Sequence, residues 1–222
     1  MCSLGNAETR KMTFWIGKKL LREDRWFKYY EMQPGISARV SKFLTLEVEV
    51  KESDLRREWE SWNDSERIMF AQAFCAKPEI GSEEEAILEF MMSSKEDAVL
   101  SSIAICLTRH SNKAMVLPFL VAQLESKAQP KANFLQALNM LGDRAAIPSV
   151  KALHNRLAVE LKRAGKEPNG FLITDFFASC AAIDKLEGTT TYRAEIEPFL
   201  SHPNGSIGAM AKLWIAGGPP SQ

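Results

Sequence analysis

The sequence predicts an all-α fold: an α-solenoid, or superhelix, of helical hairpins with an atypical N-terminal extension. Three observations point there. From about Ala98 onward, apolar residues recur at helical spacing in short runs. Proline and glycine punctuate nearly every junction between the runs, where the backbone must stop being helical. The runs pair through short turns, and three of them align as a repeat around Pro118, Pro148 and Pro198.

The elements follow in order. Residues 1–52 read as a basic, aromatic extension, 53–97 as acidic helical repeats that cap the solenoid, and 98–222 as the repeats proper. Within the extension, Leu44–Val50 alternates strictly, and the alternation fits either an extended arm or a helix. Asp54–Lys77 reads as one long helix or as two broken at Asn63-Asp64, with Ser53 as N-cap. Ser82–Met92 is the next helix, with Ser82 and Glu85 at capping-box spacing. Ala98–His110 places Val99, Leu100, Ile103 and Leu107 on one face. Ala114–Leu124, Ala132–Leu141, Ala146–Ala164, Phe171–Leu186, Arg193–Leu200 and Ile207–Ala216 follow. Proline is tolerated in a helix's first turn, so each aligned proline predicts the start of a repeat's second helix.

One repeat carries a resemblance. Ala132–Leu153 reads ANFLQALNMLGDRAAIPSVKAL. Ala137-Leu138, Leu141-Gly142-Asp143, Ala146-Ile147-Pro148 and Ala152-Leu153 fill the places of the short HEAT-like repeat of the phycobilisome-lyase type, which this segment resembles. Gly142 suits the left-handed cap of the first helix, and Asp143 suits the turn that follows. The match is full over that repeat, partial over 98–126 and 171–216, and absent before about residue 80. The resemblance implies a HEAT-like solenoid. It does not by itself imply lyase activity, because such repeats also occur in proteins without that chemistry.

The bulk numbers set limits. The formal net charge is +0, which argues against wholesale electrostatic binding to nucleic acid or membrane. The charge is unevenly spread: residues 1–46 carry 9 basic and 4 acidic side chains, and residues 47–97 carry 6 basic and 15 acidic. The four cysteines form no CxxC pair or zinc spacing, so a reducing, cytoplasmic setting is expected, with no metal and no cofactor. No run approaches the length of a membrane span.

Two surfaces stand out as candidate binding sites. In the extension, Trp15 and Trp26 lie among Lys18, Lys19 and further cations, a mixture that stacks on bases or anchors on anionic surfaces. On Ala146–Ala164, the expected core positions are Ile147, Val150, Leu153, Leu157 and Leu161. That leaves Lys151, Asn155, Arg156, Lys162 and Arg163 as a basic ridge able to receive an acidic peptide or phosphate. The loop RAGKEPNG, Arg163–Gly170, is a third candidate. His110 and His154 read as structural. No GxSxG, HExxH, Walker or dinucleotide motif is present.

The expectation is therefore a non-enzymatic scaffold that binds a protein or peptide along its curved surface. One alternative is a nucleic-acid-binding protein like the HEAT-like alkylpurine DNA glycosylases, which would draw on Trp59, Trp62, Trp214 and Asp175. The other is a lyase-like protein that handles a tetrapyrrole or another cofactor.

Overall fold

The computed structural model describes residues 50–75, 77, 80–126, 130–165 and 168–216. Among them the secondary structure is entirely helical, as expected. The chain divides into two compact units, one ending at Arg109 and one beginning at His110. Trp15, Lys18, Lys19, Trp26 and all of the alternating segment except Val50 lie outside the described residues.

Among the described residues, the first unit holds four helices: α1 (Glu52–Trp59), α2 (Asp64–Cys75), α3 (Ser82–Met92) and α4 (Asp97–Leu107). Its first stretch is thus two helices, and Asn63 is what separates them. Asn63 Oδ1 accepts from Glu66 N at 3.0 Å, and Glu66 Oε2 accepts from Asn63 N at 2.9 Å, a reciprocal cap on α2. Two expected caps fall elsewhere. Ser53 lies inside α1, whose N-cap is Lys51. At α3 the cap is Gly81, whose N–H donates to Glu84 Oε2 at 3.1 Å, one residue before the Ser82/Glu85 pair.

The helices pack α1 on α3, α3 on α4, and α2 on α4. The core is aromatic. Trp59 meets Trp62, Phe70 and Phe90 with ring centroids 5.6, 6.2 and 5.4 Å away, and Phe70 continues to Phe74. Tilted and edge-on geometry of this kind adds to the burial of apolar area. Arg67 forms an ion pair with Glu96 and donates from Nε to Trp59 O at 3.1 Å.

The second unit holds α5 (Lys113–Glu125), α6 (Ala132–Leu141), α7 (Ile147–Ala164), α8 (Gly170–Glu187) and α9 (Gly205–Ile215). Three 3-10 turns lie between them: Arg144–Ala146, Tyr192–Glu195 and Glu197–Ser201. Asparagine side chains cap three helices: Asn112 accepts from Met115 N, Asn169 from Phe171 N and Asn204 from Ser206 N. Gly142 ends α6 at φ 68°, and Asp143 Oδ1 accepts from Ala145 N at 2.9 Å, as the repeat pattern requires. Contacts skip one helix as well as joining neighbours: α6 packs on α8, α5 on α7, and α7 on α8. Stacked helical hairpins contact one another in that way.

The prolines depart from expectation at two of three positions. Pro148 sits in the first turn of α7. Pro118 lies inside α5, because the Asn112 cap starts that helix a turn earlier. Pro198 belongs to a 3-10 turn. The helix expected over Arg193–Leu200 is in fact the pair of 3-10 turns that surround Ile196. On α7, Val150, Leu153 and Leu157 are buried as expected. Ile147 and Leu161 are only half-buried, and His154 takes a core place instead. No helix among the described residues is long and apolar enough to cross a membrane.

Candidate functional site

The polar centre of the second unit is His154, which points from α7 into α8 and the turn beyond it. Its ring stacks on Phe176 at 5.0 Å and meets the edge of Tyr192 at 5.2 Å. Nδ1 lies 3.0 Å from Ser179 Oγ, and Nε2 lies 3.3 Å from Glu195 Oε2. The Ser179 hydroxyl donates to Phe176 O at 2.6 Å, a distance that requires its proton to lie between the two oxygens. Nδ1 must then donate to Ser179. Nε2 faces the Glu195 carboxylate, a contact that protonation of the ring strengthens. Burial opposes that charge and, although Glu195 pulls the other way, holds His154 below its ordinary pKa.

Serine, histidine and glutamate in contact resemble a nucleophilic triad by composition alone. Ser179 is fully buried, and its proton is committed to a backbone carbonyl. It positions the imidazole. Cys180 Sγ lies 3.9 Å from Nδ1, and burial pushes its thiol far above the ordinary range, so it is no nucleophile either. The exposed partner is Glu195, whose side chain is 46% accessible. A proton can pass between His154 and the surface through that carboxylate.

Asp184 holds this arrangement in place. It is buried on α8, and its carboxylate accepts from Tyr192 N at 2.9 Å, Arg193 N at 2.9 Å and Thr189 Oγ1 at 3.0 Å. The turn that carries Tyr192 and Glu195 is therefore pinned to α8 just beyond Gly188, which ends the helix at φ 73°. Asp184, Tyr192, Glu195 and Ser179 were not singled out from the sequence. The available signal was a carboxylate one turn after Cys180 on an otherwise apolar face, shortly before a glycine.

The basic ridge lies on α7, away from its buried side. At 100° per residue, Lys151, Asn155 and Lys162 form one stripe and Arg156 and Arg163 another. Between the stripes sit Ala152 and Val159, and Val159 is 46% exposed. Two of the five ridge residues are already engaged. Lys151 Nζ pairs with Glu187 Oε1 at 2.7 Å and lies 5.7 Å from the Tyr192 ring centre. Arg156 Nη2 donates to Leu124 O at 2.6 Å, at the C-terminal end of α5. Asn155, Lys162 and Arg163 are exposed. The Glu187 hydrogen bond raises the Lys151 pKa, so its charge is secure. The face is thus cationic with an apolar centre, and Lys151 joins it to the His154–Tyr192–Glu195 group. In the RAGKEPNG loop, Lys166 and Glu167 lie outside the described residues.

The glycosylase-like set does not form a site. Trp59 and Trp62 are buried in the aromatic core of the first unit. Asp175, in the second unit, is fully buried. Its Oδ1 accepts from Lys131 N at 2.8 Å and Ala132 N at 2.9 Å, capping α6. An aspartate committed to a helix end and two of the three tryptophans packed in a core cannot grip a base; Trp214 is half-buried on α9. Among the described residues, no cluster of His, Cys, Asp or Glu could hold a metal ion.

Over 106 residues, 47% of this chain, the sequence is 39% identical to a protein of Picosynechococcus sp. named phycocyanobilin lyase subunit alpha. The match spans 38% of that protein's length. No protein-family model and no solved structure matches the chain. The resemblance to a HEAT-like repeat protein of the phycobilisome-lyase type therefore holds over part of the chain, and the helical structure fits it. The expectation of a protein without enzymatic activity is overturned, because the relative is named for lyase chemistry.

Proposed function

We propose that this chain is a component of a lyase that handles a bilin or a similar linear tetrapyrrole. The observation that carries the reading is the 39% identity to a phycocyanobilin lyase subunit. The structure supplies a surface of matching chemistry. A bilin is a flat apolar chromophore bearing propionate carboxylates. The exposed face of α7 offers Lys151, Lys162 and Arg163 around Val159 and Ala152, cations spaced about an apolar strip. Beside it, His154 and Glu195 form a pair that can carry a proton. Addition to a double bond, or the reverse elimination, needs such a pair. The relative's name describes one subunit, and the protein-binding surface expected of a helical repeat is the seat of a second chain in this reading. The chain would work in a reducing compartment such as the cytoplasm.

The test is spectroscopic. Phycocyanobilin is titrated into the full chain, alone and with a co-expressed second subunit, and the long-wavelength absorption band is followed. A saturable shift is expected, and the Lys162→Gln/Arg163→Gln variant should bind about tenfold more weakly. His154→Gln should bind but lose transfer of the bilin to an acceptor protein. A spectrum that stays that of free bilin at saturating ligand, with or without the second subunit, would end the proposal.

A further inference from the structure

Helices α2 and α4 of the first unit pack together, and each carries a cysteine at its C-terminal end. Cys75 is the last residue of α2, and Cys106 is the next to last of α4. One guanidinium ties them. Arg109 Nη2 donates to Cys106 Sγ at 3.0 Å and to Cys75 O at 2.7 Å, and its Nη1 donates to Lys77 O. The two thiols lie close enough for each to shift the other's titration. Cys106 is buried, Cys75 is partly exposed and Arg109 is exposed, so the pair lies just beneath the surface. None of these residues contributes to the α7 face.

The pair is unequal in geometry, because Arg109 Nη2 touches the Cys106 sulfur but only the backbone oxygen of Cys75. The Cys75 thiol, and then Arg109, hold the Cys106 thiol below its ordinary range against the cost of burial. Burial and the Cys106 neighbour push the Cys75 thiol well up. An asymmetric pair of this kind has one sulfur ready to attack and one able to resolve the product. Cys180, whose thiol is pushed up by burial and by the Glu195 and Asp184 carboxylates, is an internal contrast.

We propose that Cys75 and Cys106 are a redox-active pair that closes reversibly to a disulfide within the first unit, with hydrogen peroxide as oxidant and a dithiol as reductant. The Cys106 thiolate attacks one peroxide oxygen, the O–O bond breaks, and hydroxide leaves and is protonated to water. Cys106 is then a sulfenic acid, oxidised by two electrons, and the peroxide is reduced. The Cys75 sulfur attacks the Cys106 sulfur, the S–S bond forms, and the hydroxyl leaves as a second water with the Cys75 proton. A dithiol returns two electrons and two protons and becomes a disulfide itself.

The test uses the full chain at neutral pH. Hydrogen peroxide is added, free thiols are alkylated, and peptides are mapped by mass without reduction. A peptide pair joined through Cys75 and Cys106, two hydrogens lighter than its reduced form and released by dithiothreitol, is expected. Cys180 should remain a thiol. In Cys75→Ser, Cys106 should be trapped as a sulfenic acid by dimedone. Arg109→Gln, with helical content checked by circular dichroism, should slow closure about tenfold or more. If that variant loses helix, the rate of Cys106 alkylation in Cys75→Ser against pH replaces it, and an ordinary thiol profile would overturn the proposal. So would an absent Cys75–Cys106 link, or closure at an unchanged rate in a folded Arg109→Gln. Bilin binding is read separately, so a failure here and a failure of the lyase reading are distinguishable.

Discussion

The two units are held together by different means. The first is organised around stacked aromatics, with Trp59, Trp62, Phe70, Phe74 and Phe90 in one cluster and its ion pairs nearer the surface. Among the described residues the second buries more polar groups than the first, where Glu66 caps α2, and it gives several of them structural tasks. Asp175 caps α6, Asp184 pins a turn, His154 bridges α7 to that turn, and Lys131 Nζ donates to Gln123 O at 2.5 Å where α5 ends. The burial of apolar area is non-directional and stabilises in proportion to that area. Buried polar anchors are directional, and they fix where an irregular segment goes. The unit with the irregular turns is the one with the anchors, and it is also the one that carries the candidate site.

The largest effect should come from breaking the aromatic core. Phe70 is fully buried and touches Trp59, Trp62 and Phe74. Phe70→Ala should cost about 3–5 kcal/mol, as large-to-small changes in aromatic cores do. Hydrogen exchange should show the loss over α1–α4. Equal loss over α6–α8 would mean that the two units do not differ as described.

A polar anchor should cost less but act more locally. Asp184→Ala leaves three donors without their acceptor, a cost of about 2–3 kcal/mol. The amides of Tyr192 and Arg193 should lose protection first, and Glu195 should leave His154. Unchanged protection at those two amides would show that the turn is held by something other than the carboxylate.

This contrast also explains what could be read from sequence. The helices of the second unit were legible because Ala132–Leu153 keeps strict apolar spacing and a Gly142-Asp143 break. Asn112, Asn169 and Asn204 cap three helices at the breaks between apolar runs. Pro118 misled because a proline after an aliphatic residue looks alike in the first turn and the second, and the Asn112 cap decides between them. Arg193–Leu200 misled because apolar spacing over so few residues fits a 3-10 turn as well as an α-helix. The candidate site was half legible. The ridge on α7 followed from helical periodicity. The His154 group did not, since it depends on Asp184 bringing Tyr192 and Glu195 back to α8, a tertiary fact with no local pattern.

A smaller effect tests the repeat turn. Gly142 sits at φ 68°, and a Cβ there would meet nothing within 4 Å. Gly142→Ala therefore carries backbone strain alone, about 1 kcal/mol. Gly205 also has open space around it but no positive φ, so Gly205→Ala should be tolerated. Chemical denaturation of the two variants measures the difference, and equal stabilities would show that the left-handed cap is not what constrains this turn.

The smallest effect is expected from His154, because two causes oppose each other there. Burial lowers its pKa, and Glu195 partly restores it. With the folded value depressed, the unfolded chain binds more protons between the two values. The contribution to stability is then complete above the unfolded histidine pKa, ~6.5, and is lost as pH falls through the folded value. Stability of the second unit should decline below that pH, and His154→Gln should remove this part of the slope. Glu195→Gln should lower the His154 pKa further, because the carboxylate charge that favours the imidazolium is gone, and an NMR titration of the ring would read this directly. A rise in the His154 pKa in that variant would mean that burial is not the governing cause, and that the imidazole is more open to solvent than its stacking on Phe176 requires.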